Sequence, residues 1–193
     1  MRSDYELCKK IGINMLRIHI KTPIPRELYW ADKLGVLIMQ DMPNFWHHTE
    51  QARAWYEKLL EGAIARDFNH PAIFAWVNFN ETWGLDSPGP YDADRQKWVT
   101  QIYEKTKKLD PTRPVEDNSP CKNDHTVTDI NSWHFYINDY EQAKKHIAEV
   151  VEKTYPGSTF NYAKGYVQRN EPLMNSEYGG NSAGPGGQGK SWR

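Results

Sequence analysis

The chain has 193 residues, a formal net charge of −1 and two cysteines, Cys8 and Cys121. One domain fits that length, the near-zero charge gives no electrostatic case for a nucleic-acid or anionic-membrane partner, and two cysteines make neither a disulfide framework nor a metal-ligand spacing. No apolar run approaches the ~20 residues that span a bilayer, and Met1 leads into Arg2, Ser3 and Asp4 without a signal-peptide pattern.

Taken in order, Asp4, Leu7, Cys8 and Ile11 have the spacing of closing helical turns, stopped by Gly12. Ile13 to Ile20 is a β-rich run carrying Arg17 and His19, broken by Pro23 and Pro25. Glu27 to Leu34 reads as a short helix ended by Gly35. Val36-Leu37-Ile38-Met39 is a second buried strand, closing in Gln40 and Asp41 before a loop with Pro43, Trp46, His47 and His48. From Glu50 to Phe68, residues Ala52, Trp55, Tyr56, Leu59, Leu60, Ala63 and Ile64 form one apolar stripe opposite Arg53, Glu57, Lys58 and Glu61. Residues 72 to 79 are nearly all apolar rather than alternating, as in a parallel strand covered on both faces. That strand stops abruptly at Asn80 and Glu81. A carboxylate there costs several kcal/mol if dry and unpaired, and chemistry in alternating strand-helix folds collects at the carboxyl ends of strands. Glu81 is therefore the first catalytic candidate.

Ser87 to Tyr91 is a Pro/Gly loop, after which Asp92 or Asp94 can cap a helix striped by Trp98, Ile102, Tyr103 and Leu109 and closed by Asp110-Pro111. Pro114 to Asp117 and Thr128 to Tyr136 read as further strands. Tyr140, Ala143, Ile147, Val150 and Val151 stripe the next helix, which ends near Pro156-Gly157. Residues 158 to 170 are irregular or helical only in part. Pro172 to Asn175 is a short strand delivering Ser176, Glu177 and Tyr178, and a Gly-rich tail runs to Arg193.

The alternation gives an α/β fold with about six strands joined by right-handed crossovers. An open nucleotide-binding sheet should carry a Gly-rich turn after its first strand, and Ile20-Lys21-Thr22-Pro23 offers none, so no cofactor is implied. The expectation is a (β/α)₈ TIM-type barrel, incomplete, with about six βα units where eight are needed. Residues 1 to 193 are read as one partial catalytic domain.

Glu81 and Glu177 both end strands. Facing each other in a barrel mouth, they would form the carboxylate pair that cleaves glycosidic bonds, one acting as acid and one as nucleophile. Each charge raises the other's pKa, so one stays protonated near neutral pH. Eight Trp and eleven Tyr add candidates for stacking on sugar rings, Trp46 and Trp83 among them because they follow strand ends, whereas Trp76 reads as core. His47-His48 has no partner spacing, so no metal is expected. Asn80-Glu81-Thr82 formally matches a glycosylation sequon, which a cleft position disfavours.

Arg66-Asp67-Phe68-Asn69-His70-Pro71, with Trp76, Asn80-Glu81 and Ser176-Glu177-Tyr178-Gly179, resembles glycoside hydrolase family 2, which holds β-galactosidases, β-glucuronidases and β-mannosidases. Asn14-Met15-Leu16-Arg17-Ile18-His19 and Ala31 to Leu37 are similar to its second-strand and third-strand signatures. The resemblance covers essentially the whole chain. It implies a retaining exo-β-glycosidase with Glu81 as acid/base, Glu177 as nucleophile and Asn80 on the sugar 2-hydroxyl. His134-Phe135-Tyr136 resembles the clan's His-x-Tyr segment, implying that Tyr136 and Arg17 donate to Glu177 and hold it ionised while Glu81 keeps its proton. His19 and Asp41 depart from the commonest family pattern and are carried as substrate contacts, as is His134, which could equally be a satisfied core histidine. The resemblance further implies that the chain is a fragment holding strands two to seven, without the first and eighth barrel strands or upstream β-sandwich domains. An endo-acting β-glucanase or mannanase of the same clan and a catalytically silent carbohydrate-binding fragment are the rival readings. The sugar, the cellular location and homo-oligomerisation are left open.

Overall fold

The structure is a computed structural model that describes residues 1–121 and 123–179 in full, together with the backbone of 181–183 and 189–191. Strands β1 (Met15–Ile18), β2 (Leu37–Asp41), β3 (Ile73–Asn80) and β4 (Val115–Ser119) lie side by side in that order as a parallel sheet, and β5 (Asn131–Phe135) pairs in parallel with β6 (Leu173–Tyr178). In the Gly-rich tail, β7 (Asn181–Ala183) and β8 (Gly189–Ser191) form an antiparallel pair; the rest of the tail after Gly179 lies outside the described residues.

Among the described residues five helices accompany these strands: α1 (Arg2–Lys10), α2 (Pro25–Leu34), α3 (Glu50–Asp67), α4 (Ala93–Leu109) and α5 (Tyr140–Lys153). Side-chain caps start three of them. Thr49 accepts from Ala52 N, Asp92 from Arg95 N and Asp139 from Gln142 N, so Asp92 rather than Asp94 caps α4. Gly35 closes α2 in the left-handed region at φ +67°, where a Cβ would be strained.

The strand-helix alternation is less regular than the sequence pattern implies. Among the described residues no helix joins β4 to β5. A side-chain network holds that connection instead: His125 Nδ1 donates to Asp117 Oδ1 at 2.7 Å, Thr126 N donates to Asp117 Oδ2 at 2.6 Å, and Ser132 N donates to His125 Nε2 at 3.0 Å. Buried polar groups that satisfy one another can hold a loop without a helix. Six strands pair in parallel, β7 and β8 form a separate antiparallel pair, and among the described residues a helix follows each of β1, β2, β3 and β5.

β3 is covered on both faces, as its nearly all-apolar run requires. Trp76 and Phe79 join Tyr56, Leu60, Trp98 and Ile102 under the helices, whereas Ala75 and Val77 join Met39 and Ile130 in a second cluster. The α5 stripe behaves otherwise: Val150 is buried, but Tyr140, Ile147 and Val151 are exposed. Helix α5 meets β5 through the rings of His146 and Phe135, 5.4 Å apart, and the neighbouring β6 is itself partly buried up to Glu177 and exposed at Tyr178. No helix among the described residues is long and apolar enough to cross a membrane.

Trp76 is fully buried, and its Nε1 donates to Asp110 Oδ2 at 2.9 Å. Asp110 also accepts from Thr112 N, Thr112 Oγ1 and Arg113 Nη1. Burial pushes the Asp110 carboxyl up, but these donors outweigh it and hold the pKa down at about 2. A carboxylate depressed in this way stabilises the fold above its unfolded pKa, and that contribution is lost as pH falls through the folded value. Asp110→Asn should therefore cost about 2 kcal/mol at pH 7 and flatten the dependence of stability on pH between about 5 and 2, measured by urea unfolding across that range.

Candidate active site

The carboxyl ends of the strands converge on one guanidinium. Arg17, on β1, is 7% exposed. Its Nε and Nη2 donate to the two oxygens of Asp41 on β2, at 3.0 and 2.8 Å, and Nη2 also donates to Asn80 Oδ1 on β3 at 2.7 Å. Its Nη1 faces His134 Nε2 on β5 at 3.2 Å and Glu177 Oε2 on β6 at 3.4 Å. Five strands are thereby tied to one side chain whose fork geometry lysine cannot reproduce.

The two glutamates meet beside this hub. His134 Nδ1 lies 2.7 Å from Glu81 Oε1, and the Tyr136 hydroxyl donates to Glu177 Oε1. One oxygen from each glutamate and a ring nitrogen of His134 all lie within 4.8 Å of one another. A guanidinium can only donate, so Nε2 of His134 is the acceptor and Nδ1 carries the hydrogen facing Glu81. The same three groups have the spacing of a cation site, but the Arg17 guanidinium already sits against Glu177 and His134 and would repel an ion there.

Local backbone holds Glu81 in place. Glu81 and Thr82 adopt φ of +50° and +61°, a region costing roughly 1 kcal/mol or more per non-glycine residue. Asn118 secures the turn from β4: its Oδ1 accepts from Thr82 N at 3.1 Å, and its Nδ2 donates to Thr82 Oγ1 at 3.0 Å. Glu81 N donates to Ser119 O at 2.7 Å. Asn44 Nδ2 bridges the carbonyls of Asn80 and Trp83. At Gly84, with φ +77°, an added Cβ would sit 1.8 Å from the Phe45 carbonyl oxygen.

The outer candidates are looser. His19 reaches Asp41 Oδ2 at 3.3 Å, and its ring meets Trp83 edge-on with centroids 5.9 Å apart. Trp46 is 84% exposed on the loop after β2. Arg17, Asp41, Asn80, Glu81, His134, Tyr136 and Glu177 are thus drawn into one cluster, His19 and Trp83 form its rim, and Trp46 stands outside it. Sequence reasoning missed Asn118, Ser119 and Ser176. Ser119 Oγ lies 2.8 Å from His134 Nε2 and 2.9 Å from Ser176 Oγ. The polar run Glu116 to Ser119 closing β4 was the available signal.

All of residues 1–193 match the family described as "Glycosyl hydrolases family 2, TIM barrel domain". The chain belongs to glycosyl hydrolase family 2. Curated relatives of this family 2 domain include a β-glucuronidase of Chlorocebus aethiops, 26% identical over 191 residues covering 91% of this chain and 27% of that protein, and a putative β-glucuronidase of Formosa agariphila, 29% identical over 188 residues covering 94% and 21%. The chain therefore spans about a quarter of the length of these relatives. A β-galacturonidase structure from Eisenbergiella tayi superposes with TM-score 0.74 at 19% identity, covering 96% of this chain and 33% of that one. A Parabacteroides merdae β-glucuronidase gives 0.73 at 20% identity, covering 94% and 21%. At these identities the superpositions show a shared fold, and the TIM-barrel description comes from the family match.

In this family 2 site the ionisation of Glu81 differs from the sequence expectation that Glu177 keeps it protonated. Burial pushes the Glu81 carboxyl up, but the hydrogen bond from His134 and the fields of His134, His19 and Arg17 more than offset it, and its pKa lies below the usual value. Burial and the Glu177 carboxylate together push the Tyr136 hydroxyl up, so it remains a donor to Glu177.

The turn at Glu81 makes a contrast that thermal unfolding can read. Gly84→Ala should destabilise the protein by more than about 2 kcal/mol, because it combines strain with a backbone clash. Gly62→Ala, within α3 and with nothing within 4 Å of the added Cβ, should be neutral or stabilising by up to about 1 kcal/mol. Equal effects would contradict the packing of Phe45 on Gly84.

Proposed function

We propose that this domain hydrolyses terminal β-linked sugars with retention of configuration, Glu177 acting as nucleophile and Glu81 as acid/base. The observation that carries this reading is the spacing of the two carboxylates, whose nearest oxygens lie within 4.8 Å. Retaining glycosidases hold their carboxyl groups ~5–5.5 Å apart, whereas inverting ones need ~6.5–9.5 Å to admit water.

The surroundings suit an asymmetric pair. Glu177 has donors on both oxygens, from Arg17 and Tyr136, which fix the orientation of the carboxylate as a nucleophile requires. Glu81 accepts from His134 alone among the hydrogen bonds of the described residues, and its side chain is 15% exposed. A sugar closing over it would strip that remaining solvent and raise its pKa, loading the proton that the leaving oxygen requires. Once Glu177 is esterified its charge disappears, and Glu81 can return to base toward water. Asn80 has its Oδ1 held by Arg17, while its buried Nδ2 has no partner among the described residues. That unused donor suits a sugar hydroxyl beside the anomeric carbon. His19 and Trp83 would line the same subsite, whereas Asp41, buried with both oxygens taken by Arg17 and His19, holds Arg17 rather than contacting the sugar, and Trp46 stands away from the cluster. The curated relatives act on β-glucuronides by name, which makes aryl β-glucuronide the first substrate to try, with the β-galactoside and β-mannoside as comparators.

Two outcomes test the roles in the full-length protein. Glu177→Gln should lower kcat on an aryl β-glycoside by at least about 10³-fold, and Glu81→Ala should retain turnover only on substrates with good leaving groups. Normal turnover by Glu177→Gln would overturn the assignment. The pH profile carries a further signature. Glu81 is depressed in the free site, and kcat/KM reports the free enzyme while kcat reports the complex. The alkaline limb of kcat should therefore lie at higher pH than that of kcat/KM.

A further inference from the structure

We propose that Ser119 is a positioning residue that holds His134 in the Nδ1–H form and thereby fixes the hydrogen bond from His134 to Glu81. The inference rests on the acid/base reading of Glu81.

The geometry begins with burial. Ser119 and the His134 side chain are both 0% exposed, so neither can turn to water for a partner. An imidazole ring in that position takes its tautomer from whatever meets its two nitrogens. Nδ1 meets a carboxylate oxygen, Glu81 Oε1 at 2.7 Å, which can only accept while ionised. Nε2 meets two groups, the Arg17 guanidinium at 3.2 Å and the Ser119 hydroxyl at 2.8 Å. The shorter contact belongs to the serine. Its hydroxyl hydrogen is free to point at Nε2 because the Ser176 hydroxyl, 2.9 Å away, can supply a hydrogen to Ser119 Oγ in return. The chain Ser176, Ser119, His134, Glu81 then has every donor matched to an acceptor in one direction. Reversing it would place an Nε2–H against the Arg17 guanidinium and leave the Glu81 carboxylate facing a bare nitrogen.

The hydrogen bond at the end of that chain is also what lowers Glu81 against its burial. The other charged or titratable groups around the pair are Arg17 from β1 and His19 just beyond it, Asp41 from β2, Glu116 from β4, Tyr136 after β5, Glu177 from β6 and Cys121 in the loop after β4. Removing the Ser119 hydroxyl leaves each of these charged groups in place, frees the Ser176 hydroxyl and weakens the hold on the ring. His134 then keeps a single long contact at Nε2, Glu81 loses part of its donor, and its proton affinity rises.

The test reads the pH profile of kcat/KM in the full-length protein. Ser119→Ala should move the alkaline limb upward by roughly 0.5–1 pH unit, and Ser119→Thr, which keeps the hydroxyl, should restore it. A folded Ser119→Ala with an unmoved limb would overturn the proposal, as would a Ser119→Thr shifted as far as the alanine variant. Nitrogen-15 spectra of the histidine rings in the unsubstituted protein, assigned with His134→Gln, give an independent reading should Ser119→Ala not fold. They should show His134 with a protonated Nδ1 and a bare Nε2, and a hydrogen on Nε2 would overturn the proposal. Because that spectrum needs no turnover, it separates failure of the Ser119 assignment from failure of the glycosidase reading, which Glu177→Gln decides.

Discussion

The buried Arg17 guanidinium is the constraint on which the arrangement at the strand ends depends. Taking a cation out of water costs several kcal/mol unless its hydrogens find acceptors. Here they find Asp41 through two parallel bonds and then Asn80, His134 and Glu177. Burial pulls the Arg17 pKa down, and the Asp41 ion pair outweighs it and leaves the value raised. The cation therefore stays charged, and four neighbouring strands must bring an acceptor to it in a fixed register. A shift of any one strand by a single residue would turn its acceptor to the opposite face. One ionic contact thus doubles as the alignment pin of the sheet ends, and the space between Glu81 and Glu177 is a by-product of that alignment.

A second constraint acts at the exit from β3. The strand is apolar on both faces because helices cover one side and a small cluster around Met39 and Ile130 fills the other. A chain leaving such a strand has to turn sharply to expose a carboxylate, and it does so with two successive non-glycine residues at positive φ. The strain is offset by Asn118 on the neighbouring strand and by the tight approach of Gly84 to Phe45. The site therefore depends on β4 as much as on β3, although β4 contributes neither glutamate.

Much of this was legible in the sequence, for stated physical reasons. The nearly all-apolar run from 72 to 79 signalled a strand buried on both faces, and the acid after it had no packing purpose. Glu177, Tyr136, Arg17 and Asp41 could be joined to it because ordered motifs at barrel-like spacing resembled one family, and the match of the whole chain to that family agrees. Other features were not legible because they depend on three-dimensional partners. Asn118 and Ser119 look like ordinary polar strand residues until Thr82 and His134 are seen against them. The missing helix between β4 and β5 is replaced by side-chain hydrogen bonds that leave no periodic trace. The stripe of α5 has helical spacing, yet spacing says nothing of what covers it, and most of it is exposed. The ionisation of Glu81 was misread because one neighbour, Glu177, was weighed and the nearer His134 was not.

The central claim is that the two carboxylates stand close enough for one of them to bond the sugar before water arrives. The stereochemistry of the first-formed product tests this most directly, followed by proton NMR while the full-length protein hydrolyses an aryl β-glycoside, before mutarotation mixes the anomers. The β-anomer should appear first and the α-anomer only later as the sugar equilibrates. Initial release of the α-anomer would mean that water attacks directly, and Glu177 could not then be the nucleophile.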